Sequence, residues 1–292
     1  MQWVINRKPL ISITVFISLV WLFILYNSDN TADLIIGYWQ FFFLGVGGAV
    51  AANSTGAGGG IVFIPAFTSL GVNELAVLGT SIAIQCFGMT VGSVSWLSSI
   101  YRSDHASKNV IELTNHLLVI SGVTAVAGML CGQYLLPEPS YSIPKIFKYF
   151  SIVFGSILLI VTLRKNNKRH TRYHVNKVDN VLIAIVCFVG GAITSWISVG
   201  AGEMVALLLF FLNFPTMVAV CIAVCISSMS VLSGVIYHLF VTPSISWQIL
   251  LFAAPGAMIG GYFARYLAER LGPVRLKIFF ATWILVTGVA MT

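Results

Sequence analysis

Charged residues are scarce in this sequence. Asp, Glu, Lys and Arg make up only 9% of its 292 residues, whereas 58% are hydrophobic, and the mean hydropathy is +0.93. Soluble domains contain about 25% charged residues, so this composition excludes an ordinary soluble domain and predicts a membrane protein with several spans. The basic residues behind the net charge of +7 lie in short loops between apolar runs. We therefore interpret them as determinants of membrane orientation and expect no nucleic-acid partner.

Several motifs are also missing. The five cysteines form no C-x-x-C pair and do not indicate a redox compartment. The chain contains no Walker motif, so ATP hydrolysis is not indicated. The cysteines all fall in apolar runs and are interpreted as packing residues. His116 and His238 lie in or near apolar runs without a metal-ligating neighbour three or four residues further on. We expect neither a metal site nor a cofactor.

Long apolar runs divide the chain into candidate helices. Most reach the ~20 residues that span a bilayer, but runs 59–72 and 203–214 are shorter and as helices would cover only about 20 Å. Each of these two follows a glycine cluster, which predicts the return arm of a broken helical hairpin. Run 9–26 lacks a small-residue cleavage site and is taken as a transmembrane helix rather than a signal peptide. The other runs are 34–52, 76–100, 112–136, 144–163, 180–198, 218–241, 246–268 and 275–292.

The charges in the loops predict the orientation. With the N-terminus in the cytoplasm, all lysines and arginines except Lys145 and Lys148 lie inside, as the positive-inside rule requires. The acidic residues Asp29, Asp33 and Glu74 then lie outside, together with Glu138. The basic residues assigned to the inside are Arg7, Lys8, Arg102, Lys108, Arg164, Lys165, Lys168, Arg169, Arg172, Lys177, Arg265, Arg270, Arg275 and Lys277.

The most informative stretch is Asn53-Ser54-Thr55-Gly56-Ala57-Gly58-Gly59-Gly60. Each glycine in a helix costs about 1 kcal/mol relative to alanine, so the cluster predicts a break between two half-helices. Irregular backbone at membrane depth is tolerated only inside protein or beside a watery cavity, because unsatisfied amides are costly in hydrocarbon. The stretch therefore predicts a binding loop. A weaker copy stands at Val199-Gly200-Ala201-Gly202-Glu203.

The two copies belong to a longer internal repeat. Gly47–Gly60 aligns with Gly191–Met204, and Gly128-x-x-x-Gly132 corresponds to Gly256-x-x-x-Gly260, small-residue faces that allow close helix packing. We predict an all-α polytopic membrane protein with two inverted repeats, each a glycine-broken hairpin plus three transmembrane helices. The predicted segments are an N-terminal helix (1–33), the first repeat (34–163), a basic cytoplasmic linker (164–179) and the second repeat (180–292).

The first copy carries a family resemblance. Gly56-Ala57-Gly58-Gly59-Gly60, Pro65 and Ala76-x-x-Gly79-Thr80-Ser81 resemble the first-copy signature of the TauE/SafE family of sulfite and anion exporters. The similarity runs from about Gly37 to the C-terminus. The resemblance implies a transporter of the bacterial cytoplasmic membrane for sulfite, sulfonate-type compounds or related small anions. The second copy departs from the signature, because Ile222-Ala223-Val224 replaces Gly-Thr-Ser.

The residues around the first break predict the binding site. The first amides of a helix have no internal partner and, with the helix dipole, form an anion site. No Lys or Arg lies in the apolar interior, so we expect recognition by amides and polar side chains. Thr80 and Ser81 are equally compatible with interhelical packing. The predicted substrate-binding residues are Asn53, Ser54, Thr55, Gly56, Gly58, Gly59, Gly60, Thr80, Ser81, Gln85, Ser198, Gly200 and Gly202; Ser195 and Trp196 are further candidates for the cavity wall.

Glu203 is the acidic residue that lies within an apolar stretch. An intramembrane carboxyl group is costly and by default indicates function. Helix amides favour its ionised form whereas desolvation opposes it, so we predict a role in proton coupling. The alternative is a structural carboxylate that caps the second break and substitutes for ligand. Because its charge would repel an anion, the first break is the preferred substrate site.

The leading hypothesis is a secondary transporter of a small anion, with no catalytic residue, and other functions stay open. An intramembrane serine protease would use Ser54 or Ser93 as nucleophile and His116 or His238 as base, but no nucleophile signature is present. A membrane scaffold and a transporter of a metal cation or neutral solute are the remaining alternatives. The lipid bilayer and a small anion are the expected partners, and association into a homo-oligomer is left open.

Overall fold

The protein is described by a computed structural model that covers Trp21 and residues 31–102, 107–136, 142–164 and 171–290. These residues form helices and no strand, which confirms the all-α prediction. The predicted first helix, 9–26, lies outside the described residues except for Trp21. The indole N–H of Trp21 donates a hydrogen bond to the carbonyl oxygen of Leu251.

Ten helices are described. In chain order they are α1 (Thr31–Tyr38), α2 (Gln40–Thr55), α3 (Gly60–Ser69), α4 (Glu74–Arg102), α5 (Lys108–Tyr134), α6 (Ile143–Arg164), α7 (Lys177–Ile197), α8 (Ala201–Phe211), α9 (Thr216–Ile236, continued by a π-helical turn, Tyr237–Val241) and α10 (Trp247–Ala290, interrupted at Gly272).

Six stretches of the described chain are long and apolar enough to cross a membrane. They lie in α4, α5, α6, α7, α9 with its π-helical turn, and the first part of α10, Trp247–Gly272. The predicted span 34–52 is not one straight helix, because α1 and α2 meet at a bend of 45° at Trp39. Packing differs on the two sides of the bend: α1 has no buried residue, whereas α2 buries Phe41 and Gly45.

Glycines set the closest helix contacts. A Cβ atom at Gly128 would lie 1.9 Å from the carbonyl oxygen of Phe188, and one at Gly256 would lie 2.1 Å from that of Phe42. Only glycine fits at such distances, so the small-residue faces predicted on α5 and α10 are confirmed as packing surfaces. α5 therefore packs on α7, and α10 packs on α2.

The order of the elements is the same on both sides of the linker. In each half a long helix ends at a break, a short helix follows, and longer helices come next. The two halves also pack against each other in a reciprocal way. α5 of the first half packs on α7 of the second, and α10 of the second half packs on α2 of the first. Each half therefore completes its packing with a helix from the other.

Two helices form the centre of the bundle. Residues 77–85 of α4 and residues 218–228 of α9 are buried without interruption. A helix that is apolar all round is enclosed by its neighbours, and this burial shows that protein rather than lipid surrounds these stretches. The breaks lie against this centre, because a Cβ atom at Gly56 would lie 2.9 Å from Cβ of Ala223 on α9, and one at Gly59 would lie 2.8 Å from Cγ of Gln85 on α4.

The two breaks have different backbone conformations. α2 ends at Gly56, whose φ of 82° and hydrogen bond to the carbonyl oxygen of Ala52 are those of a glycine C-cap. α7 ends instead at Ser198, with φ of 58°, and Gly200 follows with φ of 149°. A positive φ is uncommon for a residue other than glycine, so surrounding contacts must hold Ser198 in place.

Candidate anion site at the paired helix breaks

The two breaks, far apart in sequence, contact each other in the structure. A Cβ atom at Gly60 would lie 2.5 Å from the carbonyl oxygen of Ser198, and one at Gly202 would lie 2.6 Å from that of Gly56. Residues 51–61 and 197–203 are buried throughout. The breaks thus form a single buried cluster.

Glu203 joins the two breaks. Its Oε1 accepts a hydrogen bond from the amide of Gly58 at 2.6 Å, and its Oε2 accepts one from the amide of Gly200 at 2.8 Å. The second contact is local, because a glutamate in the first turn of a helix can reach back to the amide that precedes it. The first contact crosses to the other half of the chain. Glu203 is 0% exposed, so both oxygens depend on these amides.

Gln85 makes a second bridge between the breaks. Its Oε1 accepts from the amide of Gly59 at 2.7 Å, and its Nε2 donates to Oγ of Ser198 at 2.6 Å. The hydroxyl groups of Ser81 and Ser198 share a further hydrogen bond of 2.9 Å. These side-chain contacts explain how Ser198 keeps its positive φ. They also show that amides predicted to bind an anion already face side-chain oxygens.

Several other predicted residues use their side chains within their own helix. Asn53 donates from Nδ2 to the carbonyl oxygen of Ala49 at 2.8 Å, and its Oδ1 is buried without a partner. Ser54 and Thr55 both donate to the carbonyl oxygen of Ala51. Both hydroxyls therefore bond to the backbone of α2, and that of Thr55 also accepts a hydrogen bond from the amide of Ala57 at the first break.

Thr80 lies next to the cluster but contacts another element. Its Oγ1 accepts a hydrogen bond from the amide of Ser246 at 2.9 Å, in the loop that precedes α10. Ser195 donates to the carbonyl oxygen of Ala192 and packs against Gly132. The structure therefore brings Ser81, Gln85 and Ser198 together with the glycines of both breaks, and places Thr80 and Ser195 beside them.

Two residues of the site carry no clear signal in the sequence. Oγ1 of Thr194 accepts a hydrogen bond of 2.8 Å from the amide of Ala201. Thr194 thereby caps the start of α8, although it precedes Ala201 by seven residues. Ser227 lies on α9 with Oγ 2.2 Å from the position that a Cβ atom at Gly202 would occupy. Hydroxyl groups in an apolar helix are common packing residues, and only the fold shows that these two adjoin the break.

The carboxylate of Glu203 faces amides rather than cations. The ion pairs of the described residues are Lys108–Glu112, Arg172–Asp179 and Arg265–Glu269, all near helix ends. The first break is the preferred substrate site because the charge of Glu203 would repel an anion, yet Glu203 also reaches the first break, where it accepts a hydrogen bond from the amide of Gly58. Backbone N–H groups at helix starts attract anions. The fold brings Glu203 to the amide of Gly58, although the two residues are far apart in the sequence.

The serine–histidine pairs of the protease hypothesis do not form between described residues. Ser54 and Ser93 donate to main-chain carbonyl oxygens of their own helices. His116 is hydrogen-bonded to Asn180, and His238 to Ser244. Each of these side chains has a local structural partner.

Two surface pockets of the described part of the chain lie away from the breaks. One, of about 340 Å³, lies between the start of α4 and the loop 242–246. The other, of about 270 Å³, lies between α5 and residues 173–175 of the linker. The cluster at the breaks is enclosed in this structure, because residues 51–61 and 197–203 are buried throughout.

Membrane-length helices and two broken helices that enclose a polar cluster define a multi-pass membrane protein. The model of the family described as sulfite exporter TauE/SafE matches residues 41–291, and the chain belongs to this family. It is a family of membrane transporters for sulfur-containing anions, and this chain is accordingly a membrane transporter. Comparison with curated proteins and with solved structures gave no match.

Proposed function

We propose that the protein is a secondary transporter that exports a small sulfur-containing oxyanion, of the sulfite or sulfonate class, across the bacterial cytoplasmic membrane. One observation carries the proposal: the amides of Gly58 and Gly59 each donate to a buried side-chain oxygen, that of Gly58 to the carboxylate of Glu203 in the second break and that of Gly59 to the side-chain amide of Gln85 on α4. A substrate oxyanion presents the same kind of acceptor.

Backbone amides account for recognition without a fixed cation. The starts of α3 and α8 lie together, and each supplies N–H groups and the positive end of a helix dipole. The close glycine backbone lets an oxyanion approach these groups without a side chain in the way. Ser81, Gln85 and Ser198 add hydrogen-bonding groups at the same point.

The repeat supplies the mechanism. The matching element order and the exchanged packing of α5 on α7 and α10 on α2 support two inverted repeats that rock about the breaks. Substrate held between the repeats is then exposed to one side of the membrane at a time. The enclosed cluster corresponds to the occluded conformation. Glu203 couples the cycle to protons by taking up and releasing one at this site.

An uptake experiment in proteoliposomes tests the proposal. We expect the wild-type protein to take up sulfite or a sulfonate in preference to sulfate and small carboxylates, with a rate that differs between two pH values. Gly59→Val should reduce uptake at least about tenfold, because a Cβ atom there would lie 2.8 Å from Cγ of Gln85. Glu203→Gln should remove the pH dependence, since it cannot exchange a proton.

Gly47→Val is the matched control, because Gly47 is exposed on α2 and has no atom near the position of an added Cβ. It should insert and transport like the wild type. Wild-type uptake by correctly inserted Gly59→Val protein would contradict the assignment of the site. Unchanged pH dependence in Glu203→Gln would contradict proton coupling through Glu203.

A further inference from the structure

We propose that the carboxylate of Glu203 is the resident occupant of the anion site and that the substrate oxyanion binds by displacing it. The inference rests on the proposed function and adds how the site is regulated and which anions fit it. The transporter then carries its own competitor, and the affinity for substrate is set by the balance between the two occupants.

The position of Glu203 is the first argument. A carboxylate that only capped α8 would need the amide of Gly200, which its Oε2 accepts at 2.8 Å. Its other oxygen instead reaches the amide of Gly58 in the other half of the chain, at 2.6 Å. The carboxylate thus lies between the starts of two helices, where an anionic ligand would be most strongly bound.

The surroundings of the carboxylate are the second argument. Glu203 is 0% exposed, and the ion pairs of the described residues, Lys108–Glu112, Arg172–Asp179 and Arg265–Glu269, do not include it. The side chain of Gln85 lies beside it, since a Cβ atom at Gly58 would meet both Oε1 of Gln85 and Oε1 of Glu203. Two anions cannot share this enclosed site, because like charges repel strongly where water is excluded.

The geometry of the contacts defines the ligand class. Each oxygen of the carboxylate binds one amide, so a replacement must offer two oxygens on one central atom to satisfy both. Sulfite, sulfonates and formate meet this requirement. A halide has a single centre and leaves one amide without an acceptor, which is costly in a buried site.

The competition predicts the size of the effect. The apparent dissociation constant of a ligand rises by the inverse of the fraction of protein that is competent to bind it. If Glu203 occupies the amides at least nine-tenths of the time, its removal tightens binding at least about tenfold. This tighter binding requires no change in the other contacts of the ligand.

The test compares full-length wild-type protein with Glu203→Ala, purified in detergent, by binding and thermal unfolding in sulfite, formate or chloride. We expect Glu203→Ala to unfold at a lower temperature without ligand, because two buried amides lose their acceptor. Sulfite and formate should restore the stability of Glu203→Ala in a saturable manner. Both anions should bind to Glu203→Ala at least about tenfold more tightly than they bind to the wild type. Chloride should have little effect.

Two further variants keep the test decisive. Glu112→Ala removes an exposed carboxylate that is paired with Lys108 and should bind sulfite like the wild type. Glu203→Gln removes the charge but keeps one acceptor oxygen, so it should fold even if Glu203→Ala does not, and should bind sulfite severalfold more tightly. Equal or weaker binding of both oxyanions by the Glu203 variant that folds would overturn the inference.

The outcomes separate this inference from the proposed function. Wild-type transport of sulfite, with no tighter binding after removal of Glu203, would refute the competition alone. Binding of formate but not sulfite by Glu203→Ala, with no wild-type sulfite transport, would support the competition and refute the sulfur-containing substrate.

Discussion

At the residue scale, Ser198 connects backbone conformation to the site. It is one of two described residues other than glycine with a positive φ, and its hydroxyl is bonded to both Ser81 and Gln85. The backbone strain and the hydrogen bonds therefore have opposite effects on stability. The side chain stabilises a conformation that glycine would adopt without cost.

This opposition leads to a prediction about two substitutions. Ser198→Ala removes the hydroxyl and keeps the strain, whereas Ser198→Gly removes both. An L-residue in the left-handed region costs about 1 kcal/mol relative to glycine, so Ser198→Ala should be less stable than Ser198→Gly by about that amount. Thermal unfolding of both variants in detergent measures the difference. A Ser198→Ala variant at least as stable as Ser198→Gly would show that the positive φ of residue 198 carries no strain that glycine relieves.

At the element scale, the helices are held together where glycine lets backbones touch. Gly128 on α5 lies against the carbonyl oxygen of Phe188, and Gly256 on α10 lies against that of Phe42. In lipid, close packing of this kind drives helix association because apolar surface alone does not. These contacts join the two halves of the chain.

Gly128→Leu should therefore separate α5 from α7. The added side chain cannot fit at a carbonyl oxygen that would lie 1.9 Å from its Cβ atom, and packing errors of this kind cost about 1–3 kcal/mol or more. The fraction of protein that elutes as a single species in mild detergent should fall. Gly47→Leu, on an exposed face of α2, is the control. Equal behaviour of the two variants would contradict the role of Gly128.

At the scale of the whole molecule, the charges in the loops determine how the bundle lies in the membrane. The basic residues Arg102 and Lys108 flank one end of the hairpin of α4 and α5, whereas Glu74 begins α4 at the other end. The positive-inside rule predicts that the first end is cytoplasmic. The orientation follows from the sequence and stays a prediction.

Cysteine labelling tests this orientation. Asn73 and Ser107 are exposed at the two ends, and the native cysteines are buried or half-buried, so the wild type gives the background. A membrane-impermeant thiol reagent outside right-side-out vesicles should label Asn73→Cys and leave Ser107→Cys at the background level until the vesicles are opened. The reverse pattern would invert the orientation.

Much of the candidate site was predicted from local sequence. The glycines at 56, 58, 59 and 60 indicated the first break, because helix propensity is a local property, and α3 begins at Gly60 as expected. The weaker second break was found by comparison with the first. Thr194 and Ser227 were missed because a hydroxyl in an apolar helix has the same local appearance whether it faces a site or a neighbouring helix.

The sequence by itself determined the helical class, the approximate limits of most spans, the two breaks and the family, since apolar length, glycine content and motif spacing all act over short distances. Only the tertiary structure decided that Glu203 reaches Gly58, that Gln85 binds Gly59 and Ser198, and that the predicted span 34–52 bends at Trp39. These features depend on how helices from opposite halves of the chain pack together. Such packing follows from the sum of many contacts, and no short stretch of residues encodes it.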